Sequence, residues 1–131
     1  MRQGIKSLLG PKPLLGIAIT YTLLITAALL TPITGAPKIE IPFADKIVHL
    51  IINAGLFVVW ANYVFSGKTK TTKTYTLPLL FLCTLLYGIL IEVVQGSFIP
   101  TRGADFFDVV ANVCGLILGF FAVKLTKKFI Y

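Results

Sequence analysis

The stretch EVVQGSFIPTRGADFFDVVAN, residues Glu92 to Asn112, joins two strongly apolar segments. Three of the chain's five acidic residues lie in it, Glu92, Asp105 and Asp108, together with Gln95, Arg102 and Asn112. Gly96, Pro100 and Gly103 place a loop in its middle. It therefore reads as the end of one helix, a loop, and the start of the next. Charges in so apolar a chain are costly near lipid, so a cluster of them marks a functional site by default.

Outward from this stretch the chain is mostly Leu, Ile, Val, Phe and Ala. Of its 131 residues, 56% are hydrophobic and only 13% charged, against about 25% charged in a soluble domain. Four apolar runs are long enough to cross a bilayer as helices: residues 14–30, 47–65, 77–94 and 106–123. Strands are excluded because period-2 alternation is absent. Pro78 falls in the first turn of the third run, where its missing N–H costs nothing. The expected fold is all-α, a single domain over residues 1–131 built as a four-helix transmembrane bundle. The first run is longer than a signal-peptide core and three more follow, so it reads as a span.

Charge sets the expected orientation. Of the 12 Lys and Arg, nine flank one face of the membrane: Arg2, Lys6, Lys12, Lys68, Lys70, Lys73, Lys124, Lys127 and Lys128. Only Lys38, Lys46 and Arg102 flank the other, where all five acids also fall. The positive-inside rule makes the first face cytoplasmic, with both termini on it. The net charge of +7 comes from these flanks. No basic stripe with interleaved aromatics is present, so nucleic acid is not a partner. Cys83 and Cys114 sit at different depths in their spans, which disfavours a disulfide; both read as buried thiols packing as small hydrophobes. No CxxC pair suggests zinc or redox chemistry.

With this topology, polar residues from three helices reach the outer face. Asp45, His49 and Asn53 share one face of the second helix at i, i+4 and i+8. Glu92 and Gln95 lie at the end of the third. Asp105, Asp108 and Asn112 form a stripe on the fourth, with Arg102 in the loop before it. In a catalytic reading, His49 is the acid/base, oriented by Asp45, and Glu92 or Asp108 is a second carboxylate. Arg102 grips an anionic group, with Gln95, Asp105 and Asn112 as further ligand-binding groups. The sequence requires no cofactor or metal, although its oxygen donors are of the type that holds Mg²⁺ or Ca²⁺.

Each residue also has a structural role open to it. Asp45 and Asp105 suit helix N-caps. Arg102 suits an ion pair with Glu92, Asp105 or Asp108. Asn112 suits interhelical hydrogen bonding, and Gly115 and Gly119 form a GxxxG spacing for close helix packing or a membrane-protein partner. No GxSxG or other recognised nucleophile is present, so the pattern leaves enzyme and non-enzymatic accessory or binding protein both open. A proton-coupled transporter needs acids near mid-membrane, and these lie near one end.

Taken together, Asp45-Lys46-xx-His49, Glu92-xx-Gln95 and Arg102-xx-Asp105-xx-Asp108-xxx-Asn112-xx-Gly115 resemble the VanZ-like family over about residues 14 to 123. Asn53 is a departure, since an aromatic residue is more usual four positions after the histidine. The resemblance implies a small bacterial integral membrane protein of the cytoplasmic membrane. It also implies a cell-envelope setting, because the family's founding member is an accessory of glycopeptide-resistance clusters associated with teicoplanin resistance. The ligand expected on that basis is lipid-linked or a cell-wall precursor.

Overall fold

The computed structural model describes residues 10–32, 41–67 and 75–130, with side chains as far as Lys127. Four helices follow one another: α1 (Pro11–Leu30), α2 (Ala44–Ser66), α3 (Thr76–Phe98) and α4 (Phe106–Ile130). Among the described residues there is no strand. Each helix is long and apolar enough to cross a membrane, since 20 residues at 1.5 Å per residue span about 30 Å. The helices outrun the apolar runs, most of all at the end of α3 and of α4. Hydropathy falls at the first polar residue, whereas the backbone ladder continues through it. Gln95 is thereby held on α3 and not in the loop.

The helices alternate in direction, so α2 and α4 start at the end of the bundle where α1 and α3 finish. The tightest seam joins the parallel pair α2 and α4. A Cβ on Gly115 would collide with the carbonyl oxygen of Leu50, and one on Gly119 would lie 2.8 Å from that of Ala54. Only glycine lets the two backbones approach so closely. The GxxxG face is thus consumed inside the chain: of the two roles open to it, close helix packing is the one these contacts show, in place of a partner protein. Below it, Phe57, Ala61, Leu116 and Val123 are buried, and the Phe57 ring meets Phe81 at 6.2 Å and Phe120 at 6.0 Å.

Polar side chains tie on α1. Tyr21 donates to Ile52 O at 2.9 Å, Trp60 Nε1 donates to Thr22 at 3.0 Å, and Thr26 and Tyr87 share a bond of 2.7 Å. Away from water such bonds satisfy groups that lipid cannot.

Cys83 and Cys114 are free, as expected, but exposed on the bundle surface and not buried. A thiol is apolar enough to face lipid, so turning outward costs it little. Lys12, Lys124 and Lys127 belong to the end away from the polar cluster, where Lys127 Nζ lies 4.2 Å from the Phe65 ring centre. The other charges used for orientation, at positions 2, 6, 38, 40, 68, 70 and 73 and the Lys128 side chain, lie outside the described residues.

Candidate functional site

The starts of α2 and α4 and the end of α3 meet at one end of the bundle, as the order of polar residues implied. They enclose an open pocket of about 240 Å³, lined by Asp45, His49, Gln95, Arg102, Gly103, Asp105 and Asp108. Glu92 and Asn112 lie behind it, 4% and 2% exposed. His49 is five residues into α2, about 8 Å along its axis.

The cation at the centre of this cluster is Lys46. Its Nζ donates to Asp45 Oδ2 at 2.8 Å, Asp105 Oδ2 at 2.8 Å and Asp108 Oδ1 at 3.1 Å. The expectation that Arg102 pairs with an acid is corrected here. Lys46 stands on the first turn of α2, facing the first turn of α4 across the glycine seam, and its stem bridges the gap. Among the described residues Arg102 makes no ion pair, and its Nε is buried without a hydrogen-bond partner.

Asp105 does cap α4, accepting the Phe107 N–H at 2.9 Å. The Lys46 ammonium, and after it this N–H, hold the Asp105 carboxyl below the usual carboxylate range. Asp45 does not cap α2: that position belongs to Phe43, in the left-handed conformation at φ 61°. Nor does Asp45 orient His49. Sharing a helix face did not suffice, because the Asp45 carboxylate turns out to Lys46 while the imidazole turns in, leaving His49 5% exposed.

The imidazole is held by Asn112 instead, whose Oδ1 lies 3.1 Å from His49 Nδ1. Asn53 completes the arrangement: its Nδ2 donates to His49 O at 2.9 Å and to Asn112 Oδ1 at 2.7 Å. Gln95 donates to Leu29 O at 2.6 Å, binding the end of α3 to the end of α1. Glu92 Oε1 accepts the Asp105 N–H at 2.8 Å, and its Oε2 is buried without a partner.

The structure therefore brings all eight sequence-derived candidates to one end, but in two layers. Asp45, Asp105 and Asp108 gather around Lys46. His49, Glu92 and Asp108 gather more deeply. Sequence reading missed Lys46 as a member of the site, and placed Asn53 on the face of His49 without giving it a role. The signal for Lys46 was its place beside Asp45 on the acidic face, and the signal for Asn53 was its register with His49. Each trio has ligand atoms within 4.8 Å of one another, but the outer one already surrounds the Lys46 ammonium.

The VanZ/LLP1 family model matches residues 13–127, from α1 through α4 and across the whole site. The chain belongs to the VanZ/LLP1 family. An uncharacterized protein of Schizosaccharomyces pombe is 33% identical to it over 102 residues, 78% of this chain and 58% of that relative. The chain thus spans a little over half the length of the relative it matches. No solved structure matches it.

Proposed function

We propose that this VanZ/LLP1 membrane protein binds the anionic head group of a lipid-linked, cell-envelope ligand in the pocket at the end of α2, α3 and α4, with Arg102 as the anchor. The observation that carries this is the division of labour between two cations. Lys46 pairs with all three aspartates, so the fold does not use Arg102 for that task. Arg102 remains on the pocket wall with a buried, unpartnered Nε. A guanidinium in that position suits a phosphate or carboxylate, which it can meet with two parallel hydrogen bonds. The pocket's place near a helix end, not mid-membrane, suits a molecule whose tail stays in lipid. In this reading both chain ends are cytoplasmic and the pocket opens outward in a bacterial cytoplasmic membrane.

The test is binding by the purified protein in nanodiscs. A polyprenyl phosphate lipid should compete better than its neutral alcohol. Arg102→Ala should weaken that binding by about tenfold or more without lowering the unfolding temperature. In cells, teicoplanin susceptibility and precursor-lipid profiles should shift with Arg102→Ala as they do with deletion. Equal binding of both lipids, or an unchanged Arg102→Ala, defeats the reading.

One observation favours a second reading. Lys46 and the Asp105 cap give three carboxylates structural employment. In that case the chain is a non-enzymatic accessory protein whose polar cluster holds the helices together. It predicts that Arg102→Ala and His49→Ala leave ligand binding and phenotype untouched.

A further inference from the structure

The deeper layer of the site has a protonation pattern that the hydrogen bonds determine one after another. The His49 carbonyl can only accept, so the Asn53 atom 2.9 Å from it is the amide nitrogen. The Asn112 atom facing that nitrogen at 2.7 Å must then be its oxygen. The same oxygen lies 3.1 Å from His49 Nδ1, so Nδ1 carries a proton and donates. In the neutral ring Nε2 is then a bare lone pair.

That lone pair faces two carboxylates. Asp108 Oδ2 is 3.8 Å from His49 Nε2, too far for a hydrogen bond. Asp108 Oδ1 is engaged by Lys46, and Glu92 Oε1 by the Asp105 N–H. Glu92 contributes in addition a buried oxygen with no partner, Oε2. Three buried electron-rich groups within 4.8 Å of one another repel unless a proton or a metal ion sits among them.

We propose that His49, Glu92 and Asp108 bind one divalent transition-metal ion. Two atoms each about 2.1 Å from an ion are at most about 4.2 Å apart. The His49–Asp108 spacing of 3.8 Å already satisfies that limit. The widest spacing in the trio, up to 4.8 Å, closes by about 0.6 Å at most to reach it. One imidazole nitrogen with two carboxylates suits Zn²⁺ or Mn²⁺ better than Mg²⁺ or Ca²⁺, which favour all-oxygen sets. Asn112 acts as the positioning residue that fixes the ring and its tautomer, the usual job of a metal-bound histidine's second nitrogen. Three protein ligands leave a coordination position open toward the pocket.

Charge supports the same conclusion. With Glu92 deprotonated, as a metal ligand must be, Asp45, Glu92, Asp105 and Asp108 stand against Lys46 and Arg102, a surplus of two negative charges that would repel an anionic head group. One divalent ion cancels it. The metal then shares the head group with Arg102, which deepens the reading given above by supplying the charge that reading needs.

The experiment uses tag-free, full-length protein in detergent, stripped with a chelator and titrated calorimetrically with Zn²⁺ or Mn²⁺ alone, with Mg²⁺ and Ca²⁺ as comparisons. One ion per chain is expected, with Zn²⁺ or Mn²⁺ at least about tenfold tighter than Mg²⁺ or Ca²⁺. Glu92→Gln and Asp108→Asn should weaken binding by about 10–100-fold, and Asp45→Asn, which removes a nearby charge but no ligand, should weaken it by no more than about threefold. A second measurement needs no variant. The chain holds a single histidine, so electron spin-echo modulation from an imidazole nitrogen on bound Mn²⁺ reports His49 alone. No stoichiometric uptake, no nitrogen coupling, or an Asp45→Asn loss equal to that of Glu92→Gln overturns the proposal. Arg102→Ala should keep the metal, so failure of the ion and failure of the anchor are told apart.

Discussion

Lys46 Nζ lies 2.8 Å from Asp105 Oδ2, so the first turn of α2 is bonded to the residue that caps α4. The bond spans the two parallel helices at the mouth of the pocket, and Asp108 strengthens it from 3.1 Å. Replacing Lys46 with Met keeps the length of the stem and removes the ammonium. Three carboxylates would then crowd together without their cation. Lys46→Met should lower the unfolding temperature in detergent by about 3 °C or more. Arg102→Met, which breaks no ion pair among the described residues, should change it by less than about 1 °C. A larger effect at Arg102 would return it to the structural role.

Acid should act through the same bond. The Asp105 carboxyl is held low in the folded chain, first by Lys46 and then by the Phe107 N–H. A group whose folded pKa is depressed adds stability above its unfolded value, near 4, and that gain is lost as pH falls through the folded value. The unfolding temperature should therefore drop between about pH 5 and pH 2, and the drop should be shallower in Asp105→Asn. Parallel curves for the two proteins would show that Asp105 gains nothing from the pair.

The glycine seam predicts an opposite result at two similar-looking positions. A methyl on Gly115 runs into the Leu50 backbone, while one on Gly16 meets nothing within 4 Å. Gly115→Ala should cost about 1–3 kcal/mol or more, as overpacking does. Gly16→Ala should be neutral or stabilise by up to about 1 kcal/mol, since alanine suits a helix interior better. Reversible unfolding in mixed micelles measures both. If both variants were neutral, the helices would not be in backbone contact.

The proposed orientation is tested with single cysteines at the exposed loop positions Thr101 and Gly67, after Cys83 and Cys114 are changed to Ala. Those two thiols face outward, so their loss should leave the fold intact. An impermeant thiol reagent on whole cells should label position 101 and not 67. The reverse pattern would put the pocket in the cytoplasm.

The four helices and the end at which the polar groups meet were legible because lipid enforces both. A bilayer demands long apolar runs with internally satisfied backbones, and four alternating spans then bring Asp45, Glu92 and Asp108 to one side. Partner choice within that end was not legible. Lys46 and Arg102 are both cations beside acids in sequence. Only the close approach at Gly115 and Gly119 brings the first turns of α2 and α4 near enough for Lys46 to reach Asp105 and Asp108. His49 and Asp45 share a helical face, yet side-chain rotation sends one inward and the other to the surface. Asn112 was visible as a polar residue on α4, but the Asn53 bond that makes it an acceptor for His49 depends on two helices at once.

The seam between α2 and α4 has a mechanical consequence. His49, Lys46, Asp108 and Asn112 all stand on two helices locked main chain to main chain, so that side of the pocket behaves as a fixed jaw. Glu92 and Gln95 stand on α3, which meets the pair through side chains, with Asn112 Nδ2 3.2 Å from where a Gly88 Cβ would be. Under the proposed function, any opening needed to admit a head group would fall to α3 and to the 99–105 loop that carries Arg102. The grip on a ligand would tighten by the swing of one jaw against an anvil that does not yield.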